Sequence, residues 1–302
     1  MTSELTWPAS CNNTGCAISK PVPMEDMMDD NEGIIYEEFD VIEIEEVNGS
    51  ISLDESIKKV LVEVSLKIII NQTEFVSLLC LNKYQQELAL GFLYNEGIID
   101  SYQDILTIDY NERLQAVIIE LRDGVLIDRQ ESLRSVTSGC GKCYTYLNPL
   151  KKSLYEPNIS TLTFSAKEIL DRMKQYIEQA ELYKKIGGVH SVLFYTEGLA
   201  IQSEDIGRHN CIDKIAGILL KLNKLQIAKE GIAFISGRVT SEIMTKVIRL
   251  GVPVVVSKST PTIAAIRLAR EFNISLLGYV KGNKGTIYAC PQRIEPSIFK
   301  ER

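Results

Sequence analysis

Histidine is nearly missing from this sequence, with two residues in 302. A structural zinc site of the mixed Cys/His kind therefore has little to draw on. Cysteine is scarce too. Seven residues, an odd number in scattered positions, make no disulfide framework, and a reducing compartment suits free thiols. Long apolar runs are absent: the longest lie within Lys67–Asn71 and Gly251–Ser257, far short of a membrane span. The first residues lack the basic-then-apolar layout of a secretory leader, so a cytoplasmic protein with no membrane partner is expected. A clustered basic excess is missing as well, which argues against nucleic-acid binding.

The net charge of −7 is unevenly placed. Met1–Glu46 hold 12 acidic residues against Lys20 alone, and the remaining chain holds 32 basic and 28 acidic residues. A mildly basic body tolerates an anionic ligand. Within it, Ser138-Gly139-Cys140-Gly141-Lys142-Cys143 sets two thiols three residues apart among glycine, hydroxyl and cationic neighbours. Buried structural cysteines have apolar neighbours. Here Lys142, with Arg134 nearby, favours the thiolate, the form that attacks sulfur. A single C-x-x-C also fits half a zinc site or a thioredoxin-type pair. No apolar stripe of helical period follows Cys143, which counts against the thioredoxin reading, and no second close pair is offered by the folded body.

Four segments are expected. Residues 1–33 read as a disordered acidic extension carrying Cys11 and Cys16. Residues 34–150 read as an α+β N-terminal domain ending in the thiol loop, with strands over Tyr36–Val47, Val60–Asn71 and Thr73–Leu81, and a helix from an Asn82 cap to a Gly97 stop. Residues 151–161 read as a linker. From 162 to 302, helices alternate with strands, which predicts βαβ units and a sheet covered on both faces, each domain having its own core.

In such sheets ligands sit beyond the carboxyl ends of the strands, at helix N-termini. Two junctions there are rich in hydroxyl and cationic groups. Ser236-Gly237-Arg238-Val239-Thr240-Ser241 follows one predicted strand, and Ser257-Lys258-Ser259-Thr260 follows the next. Together they predict a ligand with more than one phosphate group. A third polar cluster, Glu204-Asp205-Ile206-Gly207-Arg208-His209-Asn210 with Asp213-Lys214, is too dense in ionisable groups for simple packing. A zinc deaminase needs His-x-Glu and Pro-Cys-x-x-Cys; His190 and His209 have neither, so no catalytic zinc is expected.

These phrases, together with Ala89-Leu90-Gly91-Phe92-Leu93, Glu96-Gly97-Ile98-Ile99, Gly187-Gly188-Val189-His190 and Gly251-Val252-Pro253, occur in the order that resembles the FdhD family of formate dehydrogenase accessory sulfurtransferases. The acidic extension is not part of that pattern. The resemblance implies a sulfur carrier that takes a persulfide sulfur from a cysteine desulfurase and passes it to the bis-molybdopterin guanine dinucleotide form of the molybdenum cofactor for formate dehydrogenase. It implies a C-terminal domain of cytidine-deaminase-like three-layer αβα fold without zinc, and a homodimer. It places the persulfide on Cys140 with Cys143 assisting, and cofactor contacts on Tyr279, Val280, Lys281, Gly282, Asn283 and Lys284, beside Gly237, Arg238, Ser257, Lys258, Arg208 and His209. The alternatives are a non-catalytic escort of the molybdenum cofactor and a disulfide oxidoreductase.

Overall fold

The computed structural model describes residues 33–125 and 155–295, together with the backbone of 134–136 and 144–146. The extension before Gly33 and both thiols of the Cys140–Cys143 stretch lie outside the described residues.

A two-stranded ribbon comes first. β1 (Tyr36–Val47) and β2 (Ser50–Leu61) pair antiparallel around Asn48-Gly49, whose φ values of 53° and 82° suit the tight hairpin that Asn-Gly favours. β3 (Glu63–Ile70) and β4 (Thr73–Leu81) form a second hairpin, and α1 (Gln85–Asn95) then crosses to β5 (Ile105–Asn111) and β6 (Ala116–Leu121). The resulting sheet has the order β4-β3-β6-β5, with β6 parallel to β3.

α1 differs from expectation at its start. Its N-cap is Tyr84 in a left-handed conformation; Asn82 instead accepts a side-chain hydrogen bond from Gln85. Gly97, at φ 69°, does end the helix. Burial takes nearly every residue rather than one face, because α1 lies between the four-stranded sheet and a helix of the second half.

The backbone of β7 (Arg134–Val136) pairs antiparallel with β8 (Tyr144–Tyr146), so the chain enters and leaves the intervening segment from one short ladder. That stretch reads from sequence as unpaired linker; two short strands leave too little periodicity to be seen. Residues 155–161 are anchored along the second half. Asn158 donates to the Gly251 carbonyl (2.7 Å) and its backbone N–H to that of Phe272 (2.9 Å), while buried Arg293 donates to the Ser160 and Asn273 carbonyls at 3.0 and 2.7 Å.

β9 (Phe164–Ser165) leads into α2 (Ala166–Gln179) and α3 (Glu181–Lys185), which break the single helix expected here at Ala180. β10 (His190–Thr196), β11 (Leu199–Asp205), α4 (Arg208–Lys221), β12 (Ile232–Ile235), α5 (Ser241–Leu250), β13 (Val254–Ser257), α6 (Ile263–Glu271), β14 (Ser275–Lys281) and β15 (Lys284–Ala289) follow, and β16 (Ile294–Glu295) pairs with β9. The six-stranded sheet runs β11-β10-β12-β13-β14-β15 and is parallel only across β12, β13 and β14. α2 packs Ile169, Met173 and Tyr176 on one face, and α4, α5 and α6 contribute to the core on the other.

The larger core is continuous across both halves rather than divided between them. Two glycines make this possible. A Cβ on Gly91 of α1 would fall 1.6 Å from the Asp213 carbonyl oxygen, and one on Gly217 of α4 would fall 1.8 Å from that of Glu87. The two helices therefore meet backbone to backbone, closer than any side chain permits.

Candidate functional site

The register of the sheet gathers the predicted junctions at one end. β12 and β13 are parallel and finish at Ile235 and Ser257, while β10, antiparallel to β12, begins there with His190. His190 is also opposite Asp205, the last residue of β11, so α4 starts beside the same end. Arg208, His209, Gly237, Arg238, Ser257 and Lys258 are thus brought to one end of the sheet by strand order alone.

The loops are tied to each other. The buried Ser257 hydroxyl donates to the Gly237 carbonyl at 2.7 Å and accepts from the Ser259 N–H at 3.0 Å. This hydroxyl is occupied in holding the two junctions together. Val239 N–H donates to the Thr260 carbonyl, and Thr262 N–H donates back to Val239. Gly237 is small for a reason, since a Cβ there would lie 3.0 Å from His190 Nδ1.

Positive charge accumulates on this frame. Arg208 is largely buried; desolvation and then the neighbouring Arg238 lower its pKa, with Glu242 opposing. His190 is also held below its ordinary value, by burial first and by Arg208 next, which favours the neutral ring. Glu242, in the first turn of α5, lies 3.0 Å from His209 Nε2, and that contact keeps its carboxyl below the usual range despite burial. Glu242 thus sits beside His209 and Arg208, and Lys258 adds an ammonium 3.2 Å from the Tyr183 hydroxyl of α3. The Thr240 hydroxyl, at the N-cap of α5, is buried without a protein partner. A cationic cluster with a spare hydroxyl at a helix start fits a phosphate-bearing ligand.

The β14–β15 hairpin extends from the same end. Tyr279 N–H donates to the Ser259 carbonyl at 3.0 Å, and the residue adopts φ 55° at a register shift, a conformation that non-glycine residues seldom take. Tyr279, Lys281, Gly282, Asn283 and Lys284 are exposed, and Asn283 accepts from Lys174 of α2 at 2.7 Å. Val280 is buried and packs with α2 residues in the smaller core.

The third polar cluster divides in two. Asp205 accepts from Lys214 Nζ (2.6 Å), Asn210 Nδ2 (2.7 Å), Gly207 N–H (2.9 Å) and Leu81 N–H (3.2 Å), all sealed from solvent. Burial alone would lower the Lys214 pKa, but Asp205 overrides it and the net shift is upward. Asp213 likewise accepts from Lys246 at 2.8 and 3.0 Å and from Asn95 at 2.7 Å, and Lys246 also reaches Glu96. Glu204 accepts from the Leu182 and Tyr183 N–H groups at the start of α3, and burial raises its pKa. The density of ionisable groups that seemed beyond packing is therefore in large part packing: Asp205 ties the two sheets together through Leu81, and Asp213 ties α4 and α5 to α1. Arg208 and His209 alone turn to the cationic end.

Glu242 and Lys174 are additions that sequence spacing did not single out as ligand contacts. A carboxylate in the first turn of a helix reads as an ordinary dipole partner, which hid Glu242.

Two of the described cysteines, Cys80 and Cys211, are poor nucleophiles. Burial pushes Cys80 up to about 12 and Cys211 well above the ordinary thiol value. Cys290 is half-buried and near the Ala269 carbonyl. Among the described residues no group of three or more His, Cys, Asp and Glu side chains is placed to hold a metal. No helix among them is long and apolar enough to cross a membrane.

Comparison with known proteins agrees with this layout. The model of the FdhD/NarQ family matches residues 61–295. A sulfur carrier protein FdhD of Bacillus subtilis is 33% identical over 240 residues, covering 78% of this chain and 90% of its own. The corresponding protein of Bacillus pumilus is 35% identical over the same span and coverage. A crystal structure of a candidate formate dehydrogenase accessory protein from Desulfotalea psychrophila shares the fold at a TM-score of 0.68 and 20% identity, covering 87% of this chain and all of that one.

Proposed function

The chain belongs to the FdhD/NarQ family, and from that premise we propose that it is a cytoplasmic sulfur carrier serving formate dehydrogenase. The observation that carries this reading is the meeting of Arg208, His209, Arg238 and Lys258 at one end of the sheet, in a chain whose relatives are named sulfur carriers. Cys140 is the acceptor. Its thiolate attacks the outer sulfur of a cysteine desulfurase persulfide, a new S–S bond forms, and the desulfurase thiolate leaves. Cys143 assists. Cys80 and Cys211, kept protonated by burial, do not compete.

The cargo's recipient is the bis-molybdopterin guanine dinucleotide cofactor, which supplies the molybdenum centre that receives the sulfur. Its diphosphates match the cationic end. Arg208 and Arg238 take phosphate oxygens, Thr240 offers a hydroxyl at the α5 N-terminus, and the Tyr279–Lys284 hairpin closes over the ligand. No zinc takes part. The cytidine-deaminase-like description of the three layers around the six-stranded sheet belongs to the same reading, as does a homodimer.

Calorimetry with GDP on the full chain tests the ligand half. Binding should be measurable, and Arg238→Ala should weaken it about tenfold or more, the scale of a charge-assisted hydrogen bond. Equal binding by the variant would remove this site from the proposal. A non-catalytic escort of the cofactor would keep full activation of formate dehydrogenase in Cys140→Ala, and a disulfide oxidoreductase would show a readily titrated Cys140–Cys143 disulfide.

A further inference from the structure

His190 stands at the cationic end, yet neither sulfur transfer nor the phosphate contacts employ it. It opens β10 directly after Gly187-Gly188, whose φ values of 78° and 72° are left-handed, and its backbone is held from two sides. On one side it lies opposite Asp205 in the register, and its carbonyl accepts from the Cys211 thiol at 3.4 Å. On the other, Ser191 N–H donates to the Ser236 hydroxyl at 2.9 Å, and Ser236 N–H donates back to the Ser191 carbonyl at 3.1 Å. With the backbone fixed, the ring lies against Gly237, where a Cβ would come within 3.0 Å of Nδ1 and 3.2 Å of Cε1. The imidazole and the turn that carries Arg238 are therefore one packed unit.

Each element packed on the ring brings charge to it. α4 supplies Arg208 and His209, the turn between β12 and α5 supplies Arg238, and β11 supplies Asp205. The first three oppose a positive ring. Asp205 alone favours one, and it is already engaged by Lys214 at 2.6 Å. Glu242, the carboxylate of α5 at this end, is in contact with His209. Without a ligand the frame thus favours the neutral imidazole. A phosphate among the same cations adds negative charge that opposes their field, and the balance at the ring then moves toward the protonated form.

We propose that His190 couples anion binding at this end of the sheet to a proton: the ring is neutral in the free chain and becomes protonated as a phosphate group settles by Arg208 and Arg238. The proton comes from solvent and returns there when the phosphate leaves, and no covalent bond is made or broken. His190 is a positioning residue, acting through Arg208 and the Gly237-Arg238 turn. The inference rests on the phosphate-binding half of the proposed function and gives that binding a pH sense. A group that gains a proton on binding makes binding tighter as pH falls through its bound-state pKa, and the gain is complete below its free-state pKa. A rise of about one unit at His190 corresponds to roughly tenfold tighter binding.

The chain has two histidines, so its imidazole Cε1–H resonances are two, and a spectrum of His190→Asn assigns them. GDP-mannose is a suitable probe because its pyrophosphate is a diester whose charge stays constant from pH 5 to 8. In the full chain alone, the His190 resonance should titrate below the ordinary 6.5. Saturating GDP-mannose should raise that titration by about one unit, and sulfate, a dianion throughout, should raise it at higher concentration. Calorimetry in two buffers of different ionisation enthalpy should show proton uptake that His190→Asn lowers. An unmoved His190 titration with GDP-mannose bound, a rise at His209 alone, or a response to sulfate but not to GDP-mannose would each overturn the inference while leaving GDP binding, and so the proposed function, in place. Failure to bind GDP-mannose would also overturn it, and failure to bind GDP as well would remove the phosphate-binding half of the proposed function.

Discussion

Asp205 and Arg208 are three residues apart on the same strand-to-helix turn, and they do opposite work. Asp205 faces inward, fully buried, with four donors around its carboxylate. Arg208 faces the cationic end, where Arg238 stands near it and Glu242 opposes their shared charge. The inner group is satisfied and joins two sheets; the outer group stands beside a second guanidinium, where an added anion would be favoured. The difference teaches that a dense polar motif is not one site. Its members must be sorted by what their charges already touch.

The largest break in that comparison should come from Lys214→Met. Removing the cation leaves Asp205 sealed and unpaired, a loss of about 3–5 kcal/mol. Urea unfolding should show it, or the variant should fail to accumulate as folded protein. Arg238→Ala, on the outer side, should move stability by no more than about 0.5 kcal/mol. If the two variants unfold alike, the division between inner and outer groups is wrong.

Gly217→Ala comes next. The added methyl would meet the Glu87 carbonyl at 1.8 Å, and backbone cannot turn aside as a side chain can. Separating α1 from α4 should cost about 1–3 kcal/mol. A midpoint equal to that of the wild type would mean that the helices are not in backbone contact.

The smallest effect concerns pH. His190 has a folded pKa below its ordinary 6.5, so its contribution to stability is complete above that value and is lost as pH falls through the lowered one. Glu204, raised by burial, acts in the opposite sense, while the contribution of Glu242 is complete above its ordinary 4.5 and is lost only as pH falls below it, outside this window. Thermal melts between pH 8 and 5 should therefore decline less steeply for His190→Asn than for the wild type. Parallel slopes would place the imidazole in a more solvated setting than the structure does.

Much of the fold was legible from sequence. From His190 to Ala289, every strand and helix falls within a few residues of its expected place, because alternating β-branched runs and hydroxyl-capped helices leave local signals. The cationic end was legible for the same reason: strand order puts the Gly237-Arg238 and Ser257-Lys258 turns side by side. What the chain did not reveal is long-range. Leu81 with Asp205 and Asn95 with Asp213 are more than a hundred residues apart, and no local pattern announces that their polar groups will be partners. The same blindness hides the second cover of α1, a helix that lies far along the sequence. The Asn82 cap failed because the side chain found Gln85 instead of the backbone.

The proposed chemistry rests on Cys140, and mass spectrometry of the full chain after incubation with a cysteine desulfurase and cysteine reads it directly. The peptide containing Cys140 should gain the mass of one sulfur atom, reversibly on reduction, and Cys140→Ala should neither gain it nor support formate dehydrogenase activity. Unmodified Cys140 in a chain that still activates the dehydrogenase would contradict the account.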